Sequence, residues 1–598
     1  MKFPSRLVFY ASVIISISSF SSLFSKDITG GIEYISPFPN SEYNNIKTSI
    51  ILRLTNPPQN LNSLSFNLTG TSRRNYVYDL KLADDSKTII IKARTDFDYS
   101  DNINLSIPPI LLSNGNYSEA YNLSFKTQKF RSGNGHDKEL SPLGIPETDN
   151  LQFNSFNNYS DLPADFPPVN VSISNGETEG GIFISNLVFT NQSPYGNYLM
   201  ILNNNGYPYY YKKLDFYGAD FKMLDNGNFS YYKLNANYYE MDKNFNVVDS
   251  FYSANGYLTD IHEFRKLTDG SYFIISYDSE AVDMRNIIAG GNPNAVVTGG
   301  IVQKFDAHKN LVFQWRTWDG YEITDATHEA LTAGLIDYAH VNAIEIMPDG
   351  NILVSSRHLD EITKINTRTG EIMWRLGGKH NQFKFINDDI GFSHQHDIRM
   401  LPNGNITLFD NGNFHSPHFS RAVEYKLDEV NKTIELVWQY RNDPDYYGLA
   451  MGSVQRLPNG NTLIGWGASN PSVTEVKPDG TKVLELTLPQ GMFSYRAYKF
   501  DWNRYVSTSV PVNFSLAQNF PNPFNPSTTI RFDMPNSGHA KLFVTDAIGR
   551  QVVVLADDDL LTGTYEYSFN AGNLSSGVYF YTLSAGGKIE TKRMMLVK

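Results

Sequence analysis

The sequence contains no cysteine. Disulfides, thiolate metal sites and cysteine nucleophiles are therefore excluded. Positive charge is short as well: 50 Lys and Arg against 62 Asp and Glu leave a net charge of −12, which argues against a nucleic-acid partner. Phosphate-loop and dinucleotide glycine fingerprints are missing, as are the GxSxG nucleophile elbow and the HExxH zinc helix. Beyond Leu7–Leu23, no apolar run is long enough to cross a bilayer. Histidine is sparse, with 12 in 598 residues, so any concentration of it carries weight.

Aromatic residues are plentiful, at 14% of the chain, most of them Tyr and Phe. With abundant Asn and Gly and weak helical periodicity, they predict an all-β protein. The length predicts several domains. Residues 1–25 read as a signal peptide. Lys2 and Arg6 precede a charge-free, serine-rich apolar run that ends before Lys26, so no transmembrane segment is expected in the mature chain. Residues 27–130 hold short alternating runs about every ten residues, the pattern of a small β-sandwich. This stretch resembles the Ig-like modules of secreted bacterial proteins. Residues 131–178 read as a linker.

From 179 to 503 the chain repeats itself. Hairpin turns recur as LDNGN, LTDGS, MPDGN, LPNGN and LPNGN around Gly227, Gly270, Gly350, Gly404 and Gly460; an Asn-Gly or Asp-Gly between alternating apolar runs is a strong hairpin signal. A second hairpin alternates with the first, its leading residues Met241, Phe305, Ile365, Tyr425 and Val476 lying 51 to 64 residues apart. Two hairpins make four strands per unit. With an earlier copy over 181–214, the count predicts a six-bladed β-propeller.

Counting back nine and seven residues from the one before each turn glycine gives Asp260 and His262, His340 and Asn342, His394 and His396. Period-two alternation predicts that each pair faces one way. At the far end of the following strand lie Arg357 with His358, and Asp410 with Asn411, which should share the same rim. Long inserts leave that edge at 287–297, 318–338, 377–392, 412–420 (with His415, followed by Arg421) and 442–451. Neutral imidazoles serve as metal ligands, acids, bases or nucleophiles. A metal would need at least three converging ligands. His340, His394, His396 and Asp410 are the candidates, but no local ligand spacing supports them, so no metal and no cofactor is expected. A ring of His, Asn and Arg suits a compact oxyanion such as a sulfuryl group.

HVNAIEIMPDGNILVSSRH, TGEIMWRLGG, FSHQHDIRMLPNGNITLFDNGN, SRAVEYKL and GSVQRLPNGNTLIGWG together resemble the bacterial arylsulfotransferase family over roughly 180–500. That resemblance implies a six-bladed propeller. It also implies sulfuryl transfer from a phenolic sulfate ester to a phenol through a sulfated histidine, without a nucleotide donor. His340 and His396 match histidines that hold the sulfuryl group, and Asn342, Arg357 and His358 belong to the same motifs. The glycine-rich stretch Gly465–Val476 holds no histidine. This leaves His396 as first candidate for nucleophile or base, with His340, His394 or His415 as replacements. His262, Asp410, Asn411 and Arg421 complete the expected substrate contacts. Two readings compete with transfer: an inactive surface propeller that binds sulfated or phenolic glycans, and a metal-dependent lyase or hydrolase. After a second linker at 504–514, residues 515–598 (NFPNPFNPSTTIRF, LSSGVYFYTL, KRMMLVK) resemble the C-terminal sorting domain of the type IX secretion system. The resemblance implies that export machinery as a partner and a place outside the cell or on its surface, reached through periplasm and outer membrane.

Overall fold

The structure, a computed structural model, describes residues 30–72, 75–130, 162–188, 193–501, 514–535, 538–560, 563–572 and 574–598. The expected signal peptide lies outside these residues, as do 131–161 of the first expected linker and 504–513 of the second. Strands dominate, as the composition predicts. Among the described residues the only α-helix is the single turn Thr317–Gly320.

Two compact units emerge. The first holds residues 1–141, 235–237 and 251–450. Its N-terminal part is a sandwich. Strands Ile32–Ser36, Ile50–Leu54, Thr88–Ala93 and Tyr78–Leu82 form one sheet, and Asn67–Gly70, Asn102–Ile107 and Tyr121–Lys126 form the other. Alternate residues of both faces, among them Ile50, Leu52, Ile89, Leu105 and Phe125, share one core. Hydrogen bonds tie the sandwich to the later strands of this unit. Tyr34 Oη donates to the Gln314 carbonyl at 2.6 Å and accepts from its N–H at 2.9 Å, while Arg53 donates to the carbonyls of Val312 and Thr367.

Three four-stranded antiparallel sheets complete this unit. One comprises Leu258–Lys266, Tyr272–Val282, Ala295–Phe305 and Leu311–Arg316, with Leu335–Asp337 added in parallel. The next runs Val341–Ile346, Ile352–Ser356, Glu361–Ile365 and Ile372–Gly377. The third runs His396–Met400, Ile406–Asp410, Arg421–Asp428 and Thr433–Tyr440, with Lys384–Ile386 on its edge. Leu353, Ile362 and Leu376 of the second pack with Ile398, Leu408, Val423 and Ile434 of the third. Each fully buried aliphatic side chain contributes roughly 1.5–3 kcal/mol over exposure, enough together to hold strained and desolvated groups at the sheet ends. The turn glycines Gly270, Gly350 and Gly404 have φ between +81° and +84°, which is why glycine recurs there.

The second unit holds three more sheets of this kind and the C-terminal strands. Gly218–Met223 to Val247–Phe251 form one, and Ser453–Arg456 to Lys482–Thr487 form another. Asn170–Ser174 pairs with the last strand of the latter, so this part of the expected linker is an edge strand. In the remaining sheet, Met492–Phe500 lies beside Gly181–Val188, inside the hairpin Asn197–Leu202 and Pro208–Leu214. Chain ends more than 300 residues apart in sequence thus share one sheet. The C-terminal residues form a three-stranded and a four-stranded sheet around Phe532, Leu542, Tyr581 and Met594.

Candidate active site

Left-handed backbone recurs where the edge strands Val341–Ile346 and His396–Met400 begin. His340 and His394 take left-handed backbone, with φ of +50° and +54°, and Asp397 follows at +58°. For non-glycine residues this costs on the order of 1–3 kcal/mol each. The register also slips between Val341 and Ala343, and between His396 and Arg399. Simple alternation therefore fails here. His340 joins a cluster of imidazoles, whereas the Asn342 amide is buried and donates to the Gln395 carbonyl at 2.8 Å. The bulge brings the Asn342 amide to the backbone between His394 and His396.

Six of the twelve histidines meet at this rim. Ring centroids lie 4.9 Å apart for His262 and His340, 4.7 Å for His340 and His358, 5.4 Å for His358 and His394, and 6.0 Å for His394 and His328. One ring nitrogen each of His262, His340 and His396 lies within 4.8 Å of the others. The expected metal set that included His394 and Asp410 is not what converges.

Hydrogen bonds fix the tautomers. His396 Nδ1 is 2.7 Å from Asn411 Oδ1 and 3.1 Å from the His394 carbonyl, while Asn411 Nδ2 donates to the Gly448 carbonyl at 2.7 Å. The amide's orientation is thus set by a carbonyl, and its oxygen must accept from Nδ1–H. The lone pair of His396 is then on Nε2. His340 Nδ1 is likewise held by Asp337 Oδ2 at 2.6 Å, and His262 Nδ1 by Asp260 Oδ1. His358 donates from Nδ1 to the Asp337 carbonyl at 2.5 Å and accepts at Nε2 from Arg357 Nη1 at 2.6 Å. Arg357 Nη2 reaches the Leu449 carbonyl at 3.2 Å. The guanidinium is the cation of the cluster, gripped on two sides.

Burial sets the charge states. His396, 2% exposed, is pushed well below its ordinary value by burial and then by Arg357. Burial and neighbouring cations push His358 down to about 3 and His394 to about 2. These rings are neutral at working pH. Burial raises Glu329, 3.6 Å from His358 Nε2. Asp337 ends below the usual carboxylate range, because His340, His358 and His262 outweigh its burial. Both ring nitrogens of His394 are buried without a hydrogen-bond partner, in a site walled by His328, His358 and Phe414. Phe414 itself stacks on His328 at 3.4 Å. An unsatisfied buried imidazole of this kind marks a place where a ligand completes the hydrogen bonding.

Not every expected residue faces this cluster. Asn411 reaches it through His396, but Asp410 turns away: it accepts from Arg421 Nε at 2.8 Å and from the backbone N–H of Ser393 and Gly412. Arg421 also donates to Asp388 at 2.9 Å, to Gln439 and to the Gly391 carbonyl. His415 lies 3.6 Å from Asp410 and packs on Phe419. These three form a buried network of their own, because each carboxylate and the guanidinium lose hydration and need one another. Conversely, sequence reasoning misses Asp337, His328, Glu329 and Phe414. Asp337, His328 and Glu329 belong to the insert at 318–338, whose length is the available signal.

Among the described residues no helix is long and apolar enough to cross a membrane. The profile described as arylsulfotransferase (ASST) matches residues 174–499, and that described as secretion system C-terminal sorting domain matches 518–598; the latter indicates secretion or cell-surface export. The arylsulfate sulfotransferases of Escherichia coli and Lelliottia amnigena are 28% and 30% identical over 169 residues, covering 22% of this chain and 28% of each relative. The chain thus spans little more than a quarter of these curated relatives. Among solved structures, a Bacteroides caccae protein of unknown function aligns with 54% of this chain and 99% of its own, at 12% identity and a TM-score of 0.35. A virginiamycin B lyase of Staphylococcus aureus aligns with 62% and 97%, at 8% identity and 0.29. With more than half of its length matched by the first profile, the chain belongs to the arylsulfotransferase family.

Proposed function

We propose that this protein transfers a sulfuryl group from a phenolic sulfate ester to a phenolic acceptor, with His396 Nε2 as nucleophile. The observation that carries the reading is the grip of Asn411 Oδ1 on His396 Nδ1–H, which leaves the lone pair on Nε2, in a ring that has a nitrogen within 4.8 Å of one on each of His262 and His340. In the first half, Nε2 attacks sulfur, an N–S bond forms and the S–O(aryl) bond breaks as the phenolate departs. In the second, the acceptor oxygen attacks sulfur and the N–S bond breaks, returning the lone pair. His340, oriented by Asp337, gives a proton to the departing phenolate in the first half and regains one from the acceptor hydroxyl in the second. Arg357 offsets charge on the sulfuryl oxygens, and His358 positions it. The exposed Phe414 and the His418–Tyr447 stack, whose rings are 5.3 Å apart, suit aryl groups.

We also read the six four-stranded sheets as the blades of a six-bladed propeller over 179–503. The N-terminal sandwich over 27–130 is read as Ig-like, the signal peptide as 1–25, and the sorting domain as 515–598, delivered to type IX export machinery.

The test is release of 4-nitrophenol from its sulfate ester by the purified chain, with and without added phenol. Acceptor-dependent release with formation of phenyl sulfate is expected; absence of turnover with intact binding would replace transfer by glycan or phenol binding. Within an active enzyme, Asp337→Asn should lower kcat roughly 10²-fold or more, the scale of positioned acid–base help, with KM little moved. An equal loss falling on KM alone would remove Asp337 from this role.

A further inference from the structure

We infer that His262, His340 and His396 also form a binding site for one borderline divalent cation of the zinc class, competing with sulfate esters for the same nitrogens. His262 and His396 sit on the edge strands of two sheets, and His340 immediately precedes the edge strand of a third. Yet one ring nitrogen of each falls within 4.8 Å of the other two. Tetrahedral ligands at about 2.05 Å from zinc are separated by roughly 3.3 Å, so side-chain rotations on the order of an ångström close the set. The support behind the ligands is already built. A histidine that binds metal through one nitrogen usually donates from the other to a carboxylate or carbonyl. Here all three Nδ1 atoms are so occupied, by Asp260 for His262, Asp337 for His340 and Asn411 for His396. A metal held by the opposite ring nitrogens would keep these supports and leave a fourth position for solvent or substrate. An all-imidazole set without thiolate favours Zn²⁺, Co²⁺ or Ni²⁺ over Mg²⁺ and Ca²⁺, which want oxygen.

A rival set exists next door. Asp337, His340 and His358 also bring their ligand atoms within 4.8 Å of one another. There, however, Asp337 is already bonded to His340, and both nitrogens of His358 are engaged by the Asp337 carbonyl and Arg357. Binding at that set would break one of the two His358 hydrogen bonds and draw on the carboxylate that orients His340, whereas the His262, His340 and His396 set can keep its supports. The inference needs only this geometry and does not rest on the proposed transfer reaction.

The experiment is titration of the tag-free full chain with cobalt(II) chloride, followed by visible absorption and by thermal unfolding. One equivalent should produce the intense bands of a four- or five-coordinate ion, and the wild-type unfolding midpoint should rise as the ion binds the folded state. Zinc chloride should displace the colour and magnesium should not. His262→Ala should weaken the site at least roughly 100-fold, and Asn411→Leu roughly 10- to 100-fold through its lost support. His358→Ala should leave the affinity within a few-fold. Colourless, unshifted protein overturns the inference. So does undiminished affinity in His262→Ala, or a larger loss in His358→Ala than in His262→Ala, which would move the ion to the neighbouring set. If wild-type protein turns over a sulfate ester, micromolar zinc should inhibit it competitively; an inactive wild type that still binds cobalt leaves this inference standing while the transfer reading falls.

Discussion

Replacing His396 by alanine should lower kcat for sulfuryl transfer by roughly 10⁴-fold or more, the scale on which covalent catalysts fail when their nucleophile is removed. The reason is specific to this ring. His396 is buried, its tautomer is fixed by Asn411 and the His394 carbonyl, and one of its ring nitrogens lies within 4.8 Å of one on each of His262 and His340. His262 and His340 are oriented in the same way by Asp260 and Asp337, but His396, at 2% exposed, is the most deeply enclosed of the three and is held by a neutral amide rather than a carboxylate. His358 spends both nitrogens on the Asp337 carbonyl and Arg357, and the nitrogens of His394 are free but without an orienting partner. The measurement has two arms. Wild-type protein incubated with 4-nitrophenyl sulfate and no acceptor should gain the mass of one SO₃ on the peptide containing His396, and His396→Ala should not. Steady-state release of 4-nitrophenol should fall in parallel. Should the alanine variant keep a tenth of the activity and carry the adduct on His340 or His394 instead, His396 is not the nucleophile. Asn411→Leu separates orientation from chemistry. It keeps the imidazole but frees Nδ1, and its loss should be smaller than that of His396→Ala.

Much of this arrangement is legible in the sequence, for identifiable reasons. The LPNGN-type turns are readable because only glycine takes the positive φ seen at Gly227, Gly270, Gly350, Gly404 and Gly460 without strain, and such a requirement leaves the same letter at each repeat. The apolar strands around them follow from period two. His340, His358, His394 and His396 are found by repeat position, and they do meet. Register is where the pattern breaks. The left-handed turns at His340 and His394 and the bulge at Asn342 redirect side chains locally, and nothing in a hydropathy pattern encodes a positive φ at histidine. Asp337 is invisible for another reason. It enters from a long insert, and its bond to His340 follows from a three-residue separation that a loop makes meaningful only once folded. Pairing of Met492–Phe500 with Gly181–Val188 is likewise a matter of chain closure over a long distance, to which periodicity is blind.

Arg421 provides the second large effect, and it should appear in stability. In the sequence, this arginine follows the 412–420 insert and, by resemblance to the family, reads as a substrate contact. In the fold its side chain is 3% exposed, and it bridges Asp410 Oδ2 at 2.8 Å and Asp388 Oδ2 at 2.9 Å, carboxylates that are 0% and 2% exposed. Tyr425 Oη donates to the same Asp388 oxygen at 2.6 Å, and Gln439 and the Gly391 carbonyl take two more of the guanidinium protons. Arg421→Met keeps much of the side-chain length but leaves two buried carboxylates without their cation. Breaking a buried pair from one side costs about 3–5 kcal/mol, so thermal and urea unfolding of this variant should shift to markedly milder conditions. Burial already lifts the Asp410 carboxyl above its usual range, with Arg421 opposing it. Removing the guanidinium should lift it further, and Asp410→Asn combined with Arg421→Met should recover part of the loss, because the uncompensated charge is then gone. A substrate-binding role predicts something different: unfolding unchanged, and a sulfate-ester affinity reduced in Arg421→Met as it is in Arg357→Met. Near-wild-type unfolding of Arg421→Met, together with that loss of affinity, would return Arg421 to the binding site and leave the network around Asp410 and Asp388 without its proposed role.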